Sequence, residues 1–210
     1  MIKRPENAVV LFDGGPLTNW RRRDGGSVGW RVEDGVMAVV PGTGDIVSEE
    51  KYLDALIHVE WREPDMPEAT GQGKGNSGVF VQGRYEIQVL DSYGWESPGK
   101  GDCGGLYGQF APLVNACKPA LEWQAYDIIF RAARLDESGQ VTEMARLTVV
   151  QNGQVIHNNV LTLGPTAGPV DLDEGTPGPL LLQDHGDLVQ YRNVWLAHLP
   201  LSGSDDYDPH

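Results

Sequence analysis

The sequence predicts an all-β chain, folded as a two-sheet sandwich. Short apolar runs recur along its whole length, and 27 glycines and 14 prolines interrupt them at close intervals. No stretch of about twelve residues keeps a helical period. Roughly a dozen short strands at such spacing indicate a sandwich or barrel. A length of 210 residues suits one all-β unit over 1–210, with a core over about 8–200 and a polar, flexible tail over 201–210.

The elements follow in order. A strand over 8–12 stops at Asp13-Gly14-Gly15-Pro16. Strands over 29–32 and 36–40 flank Glu33-Asp34-Gly35, and an Asp-Gly pair between apolar runs is a strong hairpin signal. A short strand is expected over 45–48. The segment 54–62 alternates: Ala55, Ile57, Val59 and Trp61 share one face, and Leu56, His58, Glu60 and Arg62 the other. Residues 64–76 are Pro, Gly and polar, hence a loop. In the strand over 84–91, joined at Gly83 to one over 77–82, Tyr85, Ile87 and Val89 point one way while Arg84, Glu86 and Gln88 point the other. A long loop spans 92–122, a length that in a compact domain signals function or a tether. Strands over 123–135, 144–151 and 154–160 come next, the last two joined by Asn152-Gly153, a type I′ turn signal. A Pro/Gly/Asp-rich excursion over 164–179 precedes strands over 180–183 and 189–199.

Lys and Arg total 16 against 30 Asp and Glu, for a net charge of −14. Such a chain repels phosphate backbones and anionic lipid, so nucleic acid and membrane are not expected partners. No apolar run is long enough to span a bilayer, and residues 1–7 carry no signal-like apolar region. As written the chain reads as cytoplasmic; a removed leader would make it periplasmic or secreted. Cys103 and Cys117, inside the long loop, either form one disulfide or stay reduced. Alone they make no zinc site.

Chemistry is sought where polar side chains gather on strand faces. Glu86 and Gln88 share a face with Arg84, and Glu60 shares one with His58 and Arg62. Asp127 shares a third with Trp123. If these strands are neighbours, their faces combine into a groove of carboxylates, amides and aromatics, as sugar hydroxyls and ring faces require. Each face taken singly is also what a half-exposed antiparallel sheet shows by default. His185, in Gln183-Asp184-His185-Gly186-Asp187, is a titratable ring between two acids that could orient it; the plainer reading is a turn histidine. The same three side chains make only a weak metal set, so no metal site is expected. Lys118 would sit at the groove rim, where it either polarises a substrate oxygen or, on the plainer reading, is a solvated loop charge. The segment 71–76 lacks Walker spacing and a following helix, which excludes a phosphate loop.

Successive blocks then resemble a known family, the 3-keto-disaccharide hydrolase domain. They are Leu11-Phe12-Asp13-Gly14, Leu17-Thr18-Asn19-Trp20, Trp30-Arg31-Val32-Glu33-Asp34-Gly35, Asn76-Ser77-Gly78-Val79-Phe80 and, above all, Tyr85-Glu86-Ile87-Gln88-Val89-Leu90-Asp91-Ser92. Leu106-Tyr107-Gly108, Lys118-Pro119, Glu122-Trp123 and Gln183-Asp184-His185-Gly186 continue the match, which runs from about Val9 to Leu199. The resemblance implies a concanavalin A-like lectin/glucanase jelly roll acting on glycosides oxidised at C3 of the sugar. A single carboxylate on the Glu86 face does not supply the pair that a retaining glucanase needs. A 3-keto sugar can instead lose its C2 proton and C1 leaving group by elimination, with water adding afterwards. On this reading Glu86, His185 and Lys118 are catalytic, and Gln88, Asp127, Glu60, Arg84, Asn76, Trp123 and Tyr107 hold the sugar. No cofactor is required, although some relatives by fold carry a structural calcium. Two other readings stand beside it: a carbohydrate-binding sandwich without catalysis, and a structural sandwich used for protein contact.

Overall fold

The computed structural model describes residues 2–201; the tail expected from 202 onward lies outside the described residues. Apart from one short 3-10 turn at Gly71–Gly73, its regular structure is all strand. The first strands are β1 (Val9–Phe12), β2 (Trp20–Arg22), β3 (Arg31–Glu33), β4 (Val36–Ala38) and β5 (Ile46–Tyr52). Then come β6 (Ala55–Arg62), β7 (Ser77–Val81), β8 (Tyr85–Val89), β9 (Gln124–Arg131) and β10 (Arg134–Leu135). The last are β11 (Val141–Glu143), β12 (Arg146–Gln151), β13 (Gln154–Leu161), β14 (Gly178–Leu182) and β15 (Gln190–His198).

Eight strands form one antiparallel sheet, in the order β13-β12-β9-β6-β15-β4-β3, with β1 also paired to β15. Five form the second, β2-β5-β14-β7-β8, and β10-β11 make a small ribbon. The expected alternation becomes the packing between the sheets. Ile57, Val59 and Trp61 of β6 meet Tyr85, Ile87 and Val89 of β8 in one core. Aromatic rings lock this layer: Trp61 lies 4.1 Å from Tyr126, and Tyr85 lies 5.5 Å from Phe130 across the gap between sheets. Burying a side chain of that size stabilises by about 1.5–3 kcal/mol.

Both hairpin signals become tight turns with two left-handed residues, Asp34 (φ 50°) with Gly35 (φ 75°) and Asn152 (φ 52°) with Gly153 (φ 86°). The strand expected over 123–135 is broken instead. Asp54 accepts hydrogen bonds from the Ala132 backbone N–H (2.9 Å) and from Arg134, pulling the chain out of β9 and into the ribbon. The strands β2 and β11 fall where the sequence reads as loop. Each has three residues, too few for alternation to register, and backbone pairing alone defines them. The strand expected over 45–48 continues to Tyr52, because its polar residues 49–51 lie on an antiparallel neighbour of β14.

Candidate functional site

The outward side chains of β8 lie on the far side of the five-stranded sheet from the core. Beside them Val47, Phe80 and Leu181 form a small outer apolar cluster with Val170. Loops cover the rest of this face, so Glu86 is only 4% exposed and Gln88 only 1%. The loop over 99–108 acts as an extra edge: Gln88 N–H donates to Gly105 O, Gly104 N–H to Gln88 O, and Tyr107 N–H to Glu86 O. On another side the Thr166 hydroxyl accepts from Glu86 N–H at 2.9 Å.

These loops enclose a cavity of about 210 Å³ lined by Gln72, Asn76, Glu86, Gln88, Tyr107, Ala167, Gly168, Gln183 and His185. That is below the ~300–1,000 Å³ of sites for drug-sized ligands, and suits a single ring. A chain of amides builds its wall. Gln88 Nε2 donates to Gln72 Oε1 (3.0 Å) and Gly101 O (3.3 Å), Gln72 Nε2 donates to the same Gly101 O (2.7 Å), and Asn76 Nδ2 donates to Gln72 O (2.7 Å). With its amide nitrogen so committed, Gln88 Oε1 is buried without a protein partner, and so is Gln183 Oε1. Both amide oxygens thus keep unused acceptor capacity at the pocket wall.

Glu86 is the electrostatic centre. Burial, and next to it the negative charge of Asp45, raise its carboxyl to about 8. Among the described residues no side chain hydrogen-bonds that carboxyl and no cation pairs with it. His185 is exposed at the pocket wall. The acids flanking it have other work than orienting its ring. Asp184 accepts from the N–H groups of Gly44 (2.8 Å) and Gly186 (3.0 Å), and Asp187 accepts from Asn76 N–H (2.7 Å). They hold the loop that carries the histidine.

The structure thus brings Glu86, Gln88, Asn76, Tyr107 and His185 together and places the other candidates elsewhere. The groove expected from neighbouring polar strands does not form, because β6 and β9 pair with each other in the eight-stranded sheet, His58 opposite Asp127. Asp127 binds His58 Nδ1 at 2.6 Å, and Glu60 accepts from Arg192 (2.6 Å) and Asn193 (2.8 Å), on the opposite side of the core. Trp123 stacks there against Arg192 and Arg62, their guanidinium carbons 4.0 and 4.9 Å from its ring centre. Lys118 donates to Trp123 O at 2.9 Å and is not among the residues that line the pocket. Arg84 is buried, binding Asp171 (2.6 Å) and Thr176 O (2.9 Å), and so anchors the excursion over 164–177. Gln72, Gln183, Ala167 and Gly168 line the pocket without having been nominated. Gln183 stood in the block containing His185, and only its unpaired oxygen in the folded state marks it out. Among the described residues no group of three or more His, Cys, Asp or Glu is placed to hold a metal ion.

The fold and much of the sequence have known counterparts. The profile of the 3-keto-alpha-glucoside-1,2-lyase-like domain family matches residues 7–197. A protein of Parabacteroides distasonis, provisionally described as a glycosyl hydrolase, is 39% identical; the match covers 93% of this chain and 85% of that one, with a TM-score of 0.85. A second such protein of that organism is 23% identical over 93% and 95% of the chains, with a TM-score of 0.68. The alginate lyase Aly36B, solved with an alginate tetrasaccharide, shares the fold alone at 10% identity, covering 94% of this chain and 99% of that one, with a TM-score of 0.50. No curated protein matches. The chain belongs to the 3-keto-alpha-glucoside-1,2-lyase-like domain family.

Proposed function

We propose that this member of the family cleaves glycosides whose sugar carries a ketone at C3, by elimination across C1 and C2 followed by hydration. The observation that carries this reading is Glu86, a nearly buried carboxyl without a cation in a pocket sized for one ring. Family membership and the 39% identical protein provisionally described as a glycosyl hydrolase support glycoside chemistry.

Double displacement would need a second carboxyl about 5–5.5 Å from the first and free to react. Two residues along the strand stands Gln88, and Asp45 is occupied by Asp184 N–H and Arg23. Elimination asks less. The ketone acidifies the C2 hydrogen, and Glu86, a stronger base than an ordinary carboxylate because of its raised pKa, removes it. The electron pair forms the C1–C2 double bond as the C1–O bond breaks, and the leaving oxygen takes a proton from His185. The Tyr107 hydroxyl donates to the ketone oxygen, where negative charge builds. The Glu86 proton exchanges with solvent through the open side of the pocket; water then adds at C1, giving its proton to His185, while Glu86 delivers the exchanged proton to C2. Gln88 Oε1 and Gln183 Oε1 accept from ring hydroxyls and fix the sugar.

The test is turnover of a 3-keto-glucoside in D₂O, followed by NMR. Release of the leaving group with deuterium at C2 of the product is expected. Release without deuterium would assign direct displacement. Saturable binding without release would leave a carbohydrate-binding domain.

A further inference from the structure

Behind the pocket, between the sheets, lies a polar cluster that glycoside cleavage does not use. Cys103 is buried, Cys117 is half-buried, and both are free thiols. Gln151 Nε2 lies 3.4 Å from the Cys103 sulfur and 3.5 Å from the Cys117 sulfur, so one amide nitrogen bridges the two thiols. The Tyr126 hydroxyl touches Cys103 Sγ at 3.4 Å and donates to Gln88 O at 2.6 Å. The cluster therefore sits directly under the strand that carries Glu86.

We propose that Cys103 and Cys117 are a redox pair that closes into a reversible intrachain disulfide, stapling the pocket-wall segment 99–108 to the segment 115–118. Two sulfurs gathered on one Gln151 amide nitrogen stand close enough for a small side-chain rotation to bring them to bonding geometry. Each thiol also stands on a fixed segment. Cys103 N–H donates to Ser92 Oγ (3.1 Å), and its successors Gly104 and Gly105 exchange backbone hydrogen bonds with Gln88. On the other side Asn115 Nδ2 donates to Ser92 O and Trp95 O, both at 2.8 Å, and Ala116 O accepts from Asn152 (2.8 Å). Burial opposes a thiolate at Cys103, but hydrogen bonds from its polar neighbours outweigh it and lower its pKa, while the Cys103 sulfur and burial raise the Cys117 thiol.

A hydroperoxide is the oxidant class that suits this arrangement. It enters past the more accessible Cys117 and meets the Cys103 sulfur, the thiolate of the pair; the peroxide O–O bond breaks, an S–O bond forms, and water or an alcohol leaves. The Cys117 sulfur then attacks the resulting sulfenic acid, the S–S bond forms, and the hydroxyl departs as water with the Cys117 proton. The two thiols supply the two electrons that reduce the peroxide, and a dithiol reverses the bond. The product locks Gly101 O and the Tyr107 backbone against β8, and with them the amide wall of the pocket.

The full chain treated with stoichiometric hydrogen peroxide, then denatured and alkylated, tests this. Loss of both alkylatable thiols, a 103–117 cross-linked peptide and its disappearance with dithiothreitol are expected. Closing a loop of this size should also raise Tm by about 5–10 °C. Cys117→Ser should abolish both the cross-link and the rise, and Cys103→Ala serves as the second variant. Two thiols still alkylatable, a sulfinic acid without a cross-link, or a cross-link only between chains would overturn the pair. A cross-link that leaves Tm unchanged would overturn the staple. None of these readouts depends on glycoside turnover.

Discussion

The carboxyl of Glu86 lies over the bare Cα of Gly78, in the space that a β-carbon there would occupy. The Phe80 ring closes the same space, 2.9 Å from that position. Gly78 pairs with Gln88 across β7 and β8, and its own backbone is not left-handed, so room is what it provides. Gly78→Ala must push the carboxyl or the ring aside. Overpacking of this kind costs about 1–3 kcal/mol, and a shift of ~1 Å in a catalytic group about a hundredfold in rate. Thermal melts and kcat on a 3-keto-glucoside check both; a variant with unchanged kcat would separate Glu86 from the chemistry.

The raised pKa of Glu86 ties stability to pH. Its carboxyl titrates at about 8 in the fold against 4.5 for an ordinary glutamate. Between those values the native state keeps a proton that the unfolded chain has released. The stabilisation is full below about 4.5 and is lost as pH rises to about 8, at up to about 1.4 kcal/mol per pH unit. Glu86→Gln removes this dependence and should be the more stable protein at pH 8.5, by about 2 kcal/mol or more. It should also lose about 10²–10⁴-fold in kcat, as for a lost general base. The wild-type rate should follow a bell with pH, rising as Glu86 ionises and falling once His185 has lost the proton it donates. A rising limb retained in Glu86→Gln would assign the base elsewhere.

Gln183 carries a subtler expectation. Its Oε1 is buried and unpaired while its backbone N–H donates to Gly78 O, so the main chain holds the residue in place and leaves the amide to the ligand. Gln183→Leu should raise KM about tenfold, the worth of one hydrogen bond of about 1.4 kcal/mol, and change kcat less. Steady-state kinetics on one substrate at fixed pH decide this.

These sites were unequally legible. The inward set Tyr85, Ile87 and Val89 and the outward pair Glu86 and Gln88 follow from period-two alternation, and the fold places them so. Alternation says which face a residue takes, but not which sheet the strand joins. Asp127 and Glu60 show the same pattern as Glu86 and end on the other side of the core, because strand pairing is a long-range outcome. Gln72 and Gly168 come from loops whose composition marks turns and nothing else. Their place in the pocket depends on hydrogen bonds to Gly101 O and from Arg23, residues distant in the chain.

The separation of the two polar faces is itself testable at Asp127. Its carboxylate receives His58 Nδ1 at 2.6 Å beneath a nearly closed surface, and His58 stacks on Trp195 at 5.1 Å. Asp127→Asn trades a charged acceptor for a neutral amide at a buried ring nitrogen, and should cost about 1.5–3 kcal/mol of stability. The intact inter-sheet core stands between this cluster and Glu86, so kcat/KM of the folded variant should stay within about twofold of wild type, the additivity expected of distant sites. Lys118→Met, which removes only a bond to Trp123 O, should leave turnover unchanged and stability within about 0.5 kcal/mol. Denaturant melts paired with kinetics distinguish the cases. A large loss of kcat at either position, with the fold retained, would return the catalytic centre to the eight-stranded sheet.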